Sequence, residues 1–535
     1  MAQERESVEA QRTHLALERE FRDFVFDPGA GYSQTVQKAV FLARRLHKRA
    51  QELHTPEEQK AALSLARLVD SPRDKATLIR LIDRSFRSRD PRRVTAQVRR
   101  ILNSEDIPGF MKGVDRTLMK IFVSFGHLLP GLSVPLFKKK IRSDTDRMIL
   151  SAEPVQLEQH LRARSRRGMR MNVNFLGEAV LGEKEAGRRF DEYMRALENP
   201  GIEVVSVKIS TIYSQIASLS ADHCVDVLTE RLRFLYHTAA EHTFETPDGV
   251  CGPKFVYLDM EEYRDMYITA QAFMRALDDP ALKGIAAGIA LQAYVPDSFG
   301  TQKQITDWAR ARVAAGGAPV TIRIVKGANM EMEQVEAGLM HWPQAVYKSK
   351  LDTDANYKRM LVYGLEADNI AAVRLGVASH NLFDLSFALV SADRRGVLDK
   401  VQFEMLEGMA DPVRRASHEL TGNLLLYAPA TREEDFISAI GYLIRRMDEN
   451  TAPDNFLRHS FSVQVGDTMW HRLEQGFIES WKRMDSVAHA PRRTQNRLEP
   501  VDARAVRALL EHGFANEPDT DFSLAQNITW AKNII

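Results

Sequence analysis

With 535 residues, 44% of them apolar and 27% charged, the chain is long enough for several ordinary domains or for one barrel with appended helices. Its 73 basic residues are balanced by 72 acidic ones, which excludes a global field that gathers nucleic acid or anionic lipid, so partners must be read locally. Cys224 and Cys251 are too few for a disulfide framework or a cysteine metal site, and the charged opening MAQERESVEAQRTH carries no secretory signal, so a cytoplasmic chain is the expectation.

Residues 1–150 are predicted to be a helical arm or accessory domain. AALSLARLVD and KATLIRLIDRSF repeat apolar residues at three and four spacing, with almost no β-branched runs. The stretch RSFRSRDPRRVTAQVRR, Arg84 to Arg100, holds seven arginines and a single aromatic, Phe86, too few for a series of interleaved stacking aromatics. It is read as a solvated or interdomain face, and no nucleic-acid partner is expected. Residues 121–137, IFVSFGHLLPGLSVPLF, lack charge and precede Lys138, Lys139 and Lys140. A span needs about 20 apolar residues, and this run is broken by Gly126, Pro130, Gly131 and Pro135, so buried helix–turn packing is expected. The second reading is a peripheral membrane contact, because a basic run beside an apolar one marks an interfacial anchor.

From 151 to 460 the texture changes. Short β-rich runs alternate with amphipathic segments: MRMNVNFLGEAV (169–180), IEVVSVKIS (202–210), KFVYLDMEE (254–262), GIALQAYV (288–295), VTIRIVKGA (320–328), RLGVASHN (374–381), VQFEMLEGM (401–409) and NLLLYAPA (423–430). Eight strand–helix units predict an α/β fold, a (β/α)8 TIM barrel. Periodicity alone leaves an open doubly wound sheet available, but no GxGxxG follows any run. Residues 461–535 are predicted to be a helical extension.

Strand side chains alternate faces, and a barrel turns its apolar set toward the helices. That sends Ser206, Lys208, Tyr257, Asp259, Gln292, Tyr294, Arg323 and Glu404 to the polar side, into the lumen. Lumens are ordinarily filled by branched apolar side chains. Buried ion pairs seldom stabilise more than apolar packing does, so cations and carboxylates gathered at strand C-termini point to a ligand site. Ser379, His380 and Asn381 end the sixth run in the same way. In DFISAIGYLIRRMDEN, Arg445 and Glu449 are spaced to pair on one helical face with Arg446 beside them. If that helix covers the barrel mouth, two guanidiniums suit capture of a carboxylate.

Taken in order, VSVKIS, LDMEEYRD, LQAY, RIVKGA, ASHN, FEMLEGM, LYAP and YLIRRMDEN resemble the proline dehydrogenase family, most closely the proline dehydrogenase half of the bifunctional proline utilization A proteins. The resemblance implies a distorted barrel that oxidises L-proline to Δ1-pyrroline-5-carboxylate, with FAD as hydride acceptor and a quinone as the next acceptor. It implies that Asp259 and Arg323 are catalytic. Lys208, Tyr427, Arg445, Arg446 and Glu449 would bind substrate. Met260, Gln292, Arg323, Lys326, Gly327, Ala328, Met330, Ser379, His380, Asn381 and Glu404 would bind FAD.

The chain departs from the family where KGAYW becomes KGANM, so Asn329 and Met330 replace two aromatics. The ending NEPDTDFSLAQNITWAKNII resembles the lead-in to an aldehyde dehydrogenase half that does not follow, so a truncated or a monofunctional form is expected. Two other readings are open at this point. One is a Schiff-base aldolase using Lys208 or Lys326 at strand ends; the other is a helical or DNA-binding scaffold using the Arg84 to Arg100 stretch.

Overall fold

The computed structural model describes residues 2–534 apart from 60–70, 86–87, 89, 110–112, 146–147, 178–179, 247–248, 250, 436–438, 440–441, 443–445, 447–454, 461, 501–506 and 508–515. All eight predicted runs are strands. They are β1 (Arg170–Phe175), β2 (Val204–Lys208), β3 (Phe255–Asp259), β4 (Gly288–Gln292), β5 (Val320–Val325), β6 (Val373–Ala378), β7 (Val401–Leu406) and β8 (Leu424–Thr431). Each pairs in parallel with its sequence neighbour. β8 then returns to β1, from Leu425 opposite Arg170 to Ala430 opposite Phe175. That closing pair makes a (β/α)8 barrel and removes the open-sheet alternative. A two-residue strand, Leu150–Ser151, runs beside the end of β8.

Alternation sets the layers. Val205, Val207, Val256, Leu258, Ile289, Leu291, Ile322 and Ile324 are at most 1% exposed and pack outward against helices such as Ala221–Glu241 and Met266–Leu277. Withdrawing each such side chain from water contributes about 1.5–3 kcal/mol, which commits the polar set to the lumen. The helix Leu382–Arg395 shows how local signals place a site residue. Asn381 caps it, its Oδ1 accepting from the Phe383 amide at 3.0 Å, and Gly396 ends it at φ 67°. Asp384 thereby falls in the buried first turn, 1% exposed.

The helical region ahead of the barrel has two parts. Helices Ala2–Glu20 and Gln34–Glu52 contribute Leu17, Val36, Leu42 and Ala43 to the barrel's own core. Helices Pro72–Ser85, Pro91–Glu105, Gly113–Phe125 and Pro130–Thr145 supply Leu81, Val94, Val98, Met119, Phe122 and Phe137 to a separate core. In Pro91–Glu105, Val94, Val98, Ile101 and Leu102 are buried while Arg92 and Arg93 are exposed.

The expectation of burial for 121–137 needs correction. Phe122, Val134 and Phe137 are buried, but Ile121, Phe125, Leu128, Leu129, Leu132 and Leu136 are exposed. The run is apolar on both faces of its two helices, and only one face meets a core. Among the described residues no helix is long and apolar enough to cross a membrane. After the barrel, helix Thr468–Lys482 returns to it, with Trp470 fully buried against His47 and Phe383.

Candidate active site

Arg323 stands at the centre of the lumen. It faces inward from β5 between two outward isoleucines and is 3% exposed. Its Nε donates to Glu404 Oε2 at 2.6 Å from β7, and its Nη1 donates to Asp259 Oδ1 at 2.9 Å from β3. Each carboxylate takes a second bond from a phenol. Tyr257 donates to Glu404 Oε1 at 2.9 Å, and Tyr427 donates to Asp259 Oδ2 at 2.7 Å. The Tyr257 ring also lies 3.7 Å from the guanidinium carbon, a cation–π contact in a desolvated place. Ser206 donates to Asp259 Oδ1 at 3.3 Å and accepts from Asn172 at 3.0 Å.

The electrostatics follow from this geometry. Burial opposes the Arg323 charge, but Glu404 and Asp259 more than offset it and hold its pKa above the ordinary value. Burial lifts both phenols well above theirs, with Glu404 adding for Tyr257 and Asp259 for Tyr427, so both remain donors. Glu404 is itself raised by burial, against the pull of Arg323.

Gly376 on β6 makes room for this network. A β-carbon there would sit 2.4 Å from Glu404 Oε1 and 3.2 Å from both the Arg323 α-carbon and the Tyr257 hydroxyl. Backbone on both sides is fixed by strand pairing. Gly376→Ala is expected to cost about 1–3 kcal/mol through overpacking, read as a lower urea midpoint at an unchanged slope.

At the strand ends the predicted residues divide by what meets them. Lys326 meets two carboxylates of the chain itself, Asp354 at 2.5 Å and Asp384 at 2.6 Å. Asp384 also pairs with Lys358 at 2.9 Å, and Lys358 donates to Ser480 at 2.9 Å. Burial opposes the Lys326 charge, but the two aspartates prevail and its pKa is raised, which works against a Schiff-base role for this lysine. Gly327, at φ +131°, lies against the Tyr294 ring so closely that a β-carbon would be 2.4 Å from it. Ala328 follows it, half-buried. Met330 opens helix Met330–Leu339 and packs with Tyr263, Tyr294 and Val346. Gln292 donates to the Met260 carbonyl at 3.4 Å, and both residues are buried. Lys208 ends β2 in register with Asp259.

His380 differs from its neighbours. Ser379 and Asn381 are engaged in the turn, where Ser379 Oγ accepts from the Asn381 amide at 3.0 Å. The Leu406 amide donates to His380 Nε2 at 3.0 Å, so the ring proton is on Nδ1, which is buried and meets no partner. Burial, and then nearby Arg446, push its pKa down to about 4. His380 is therefore a neutral donor at physiological pH. Arg323 Nη2 is a second buried donor with no partner atom. Two such buried donors in a polar barrel fit an acceptor-rich planar group such as the flavin of FAD.

Arg446 packs over the Tyr442 ring at 4.9 Å, and its effect on His380 puts it at the same end of the barrel. Arg445 and Glu449 lie outside the described residues. Sequence reasoning sent Tyr257 to the lumen without giving it a role, and missed Gly376, Asp354, Asp384 and Lys358. It also missed Glu407, which is 2% exposed and accepts from Arg164 Nε at 2.9 Å, tying β7 to helix Pro154–Ser165. Alternation with Asp259 signalled Tyr257, whereas nothing local marks the helix aspartates.

The proline dehydrogenase family model matches residues 157–459. A curated proline dehydrogenase of Deinococcus radiodurans is 22% identical over 300 residues, covering 56% of this chain and 85% of its own. The solved proline utilization A of Corynebacterium freiburgense is 36% identical with TM-score 0.62, over 75% of this chain. That of Bdellovibrio bacteriovorus, inactivated by N-propargylglycine, is 24% identical with TM-score 0.71, over 94% of this chain. The chain spans 37% and 48% of those two solved chains. With the family model covering the whole barrel and the solved relatives sharing its architecture, this chain belongs to the proline dehydrogenase family.

Proposed function

We propose that the chain oxidises L-proline to Δ1-pyrroline-5-carboxylate in proline catabolism, with FAD as cofactor, a quinone as the next electron acceptor and a membrane face as the place of that exchange. The observation that carries this reading is the Arg323 network in the barrel lumen together with the two unpartnered donors, Arg323 Nη2 and His380 Nδ1. Arg323, His380, Gln292 and Met260 would hold the flavin, with Gly327, Ala328, Met330, Ser379, Asn381 and Glu404 around it. Lys326 would support that loop through Asp354 and Asp384. When bound, FAD supplies the hydride acceptor.

The remaining chemistry belongs to the chain's own residues. Lys208, Arg445 and Arg446 would grip the proline carboxylate, with Glu449 orienting an arginine. Asp259 and Tyr427 would wall the ring, their mutual bond fixing both. The substrate amine must lose its proton before its adjacent carbon can release a hydride. A site that holds the carboxylate by cations fixes that carbon in place, and orientation of this kind contributes up to about 7–11 kcal/mol.

The deciding experiment is an anaerobic proline titration of the flavin-loaded protein. Bleaching of the oxidised flavin band is expected, and an unchanged spectrum at saturating proline overturns the reading. Arg446→Met, and separately Arg445→Met, is expected to raise the proline KM about tenfold or more, corresponding to loss of about 1.4 kcal/mol of carboxylate binding. Steady-state kinetics check this, and an unchanged KM in both variants removes the carboxylate assignment.

A further inference from the structure

Helix Met330–Leu339, which follows β5 and the Lys326 to Ala328 turn, is amphipathic the wrong way round. Met332, Val335 and Leu339 are 51, 57 and 71% exposed, while Glu333 is 1% exposed and Glu336 is largely covered. Of the ten residues in the helix, the buried ones are Glu333 and Ala337. A surface helix is ordinarily held by its apolar stripe. This one withdraws little apolar surface from water, and its inward carboxylates are costly unless a cation meets them.

That cation comes from beyond the barrel. Arg493 is 2% exposed. Its Nη2 lies 3.6 Å from Glu336 Oε2 and 3.9 Å from Glu333 Oε2, and its Nη1 lies 3.5 Å from Asp521 Oδ2. Its Nε donates to the Pro343 carbonyl at 3.1 Å, and its guanidinium faces the rings of Trp342 at 4.8 Å and Tyr263 at 5.1 Å. Arg493 Nη1 and Nη2, Glu333 Oε2 and Asp521 Oδ2 are all buried without a hydrogen-bond partner, so charge in a desolvated place carries the attraction. Arg264 also reaches the helix, donating to Glu336 Oε1 at 3.2 Å, but it is half exposed and its hold is screened.

The same segment braces the loop behind the helix. Trp342 Nε1 donates to the Asp519 carbonyl at 2.6 Å, the Asp519 amide donates to the Met340 carbonyl at 3.1 Å, and the Tyr347 hydroxyl donates to the Ala488 carbonyl. On the barrel side, Glu333 Oε1 accepts from the Tyr263 amide at 2.7 Å, and Met330 packs with Tyr263. We propose that Arg493 is a positioning residue: it latches helix Met330–Leu339 to the chain beyond the barrel and so fixes the turn from Gly327 to Met330. Its bearing on the cofactor rests on the proposed placement of that turn around the flavin.

The test is hydrogen–deuterium exchange of the full chain, with a parallel FAD titration, at pH 8, where the Glu333 carboxyl, pushed up to about 7 by burial, is ionised. Arg493→Met is expected to speed amide exchange across 330–339 about tenfold or more while the β6 amides stay unchanged. It is also expected to weaken FAD binding about tenfold, in proportion to the fraction of chains whose turn is released. Arg493→Met combined with Glu333→Gln removes the cation and its deepest carboxylate together. It is expected to show the same local release, and it keeps a folded test if the single variant fails to fold. Unchanged exchange at 330–339 overturns the proposal. So does exchange that rises equally in β6, or failure of both variants to fold, since either marks a general structural role. A released helix with FAD affinity intact overturns it as well. If the wild type binds no FAD, the functional reading fails, and exchange at 330–339 decides the latch by itself.

Discussion

Arg323→Met is expected to abolish most activity and to destabilise the barrel, because it leaves two carboxylates buried in the lumen with no cation between them. Asp259 and Glu404 are 6% and 1% exposed, and Arg323 bonds both. Removing one partner of a buried ionic group costs about 3–5 kcal/mol. Losing a preorganised donor at the proposed reacting centre is expected to lower turnover by about a hundredfold or more. Burial already places the Glu404 pKa above the ordinary carboxylate range, and Arg323 is what restrains it. Without the arginine that pKa rises further, so the folded variant binds a proton that the unfolded chain releases. A group whose folded pKa is raised gives stability at low pH that is lost as pH rises through the folded value. The gap between variant and wild type is therefore expected to be smaller at acid pH than at pH 8. Urea midpoints at the two pH values check the sign, and an equal gap at both removes the charge argument.

Why the sequence shows Arg323 and hides Asp384 is a matter of range. In VTIRIV the alternation is local, so one cation among outward isoleucines reads directly as a lumen group. The same period reveals Asp259 in FVYLD and Glu404 in VQFEML, and it defines all eight strands. The partners of Lys326 come from helices Lys350–Gly364 and Leu382–Arg395, where Asp384 in a first turn is indistinguishable from an ordinary dipole-stabilising residue and Asp354 follows a first-turn Asp352 that looks the same in sequence. Only closure of the barrel brings them beneath the strand end. Gly376 is hidden for a related reason, since its need is set by the Glu404 side chain from the next strand. For residues 121–137, hydropathy states that the face is apolar but not whether anything covers it. The small helical core covers one side alone.

Asp384→Asn is the companion experiment, with the opposite sign. Asp384 is 1% exposed and lies between Lys326 at 2.6 Å and Lys358 at 2.9 Å. Although burial pushes its pKa up, the two lysines overcome this and hold it below the usual value. In wild type that depressed carboxyl contributes stability that is full above its unfolded pKa and is lost as pH falls through its lower folded value. The amide keeps the shape and removes the charge. Lys358, whose pKa burial already lowers against the pull of Asp384, then has its main counter-charge gone. The expected cost near neutrality is again about 3–5 kcal/mol. Here the buried group left over is an ammonium, which escapes its penalty by losing a proton, so the variant recovers toward wild type as pH rises to 9 and above. Arg323→Met should recover on the acid side and Asp384→Asn on the basic side. Two variants in one barrel that both recover in the same direction would mean that packing, and not uncompensated charge, sets their cost.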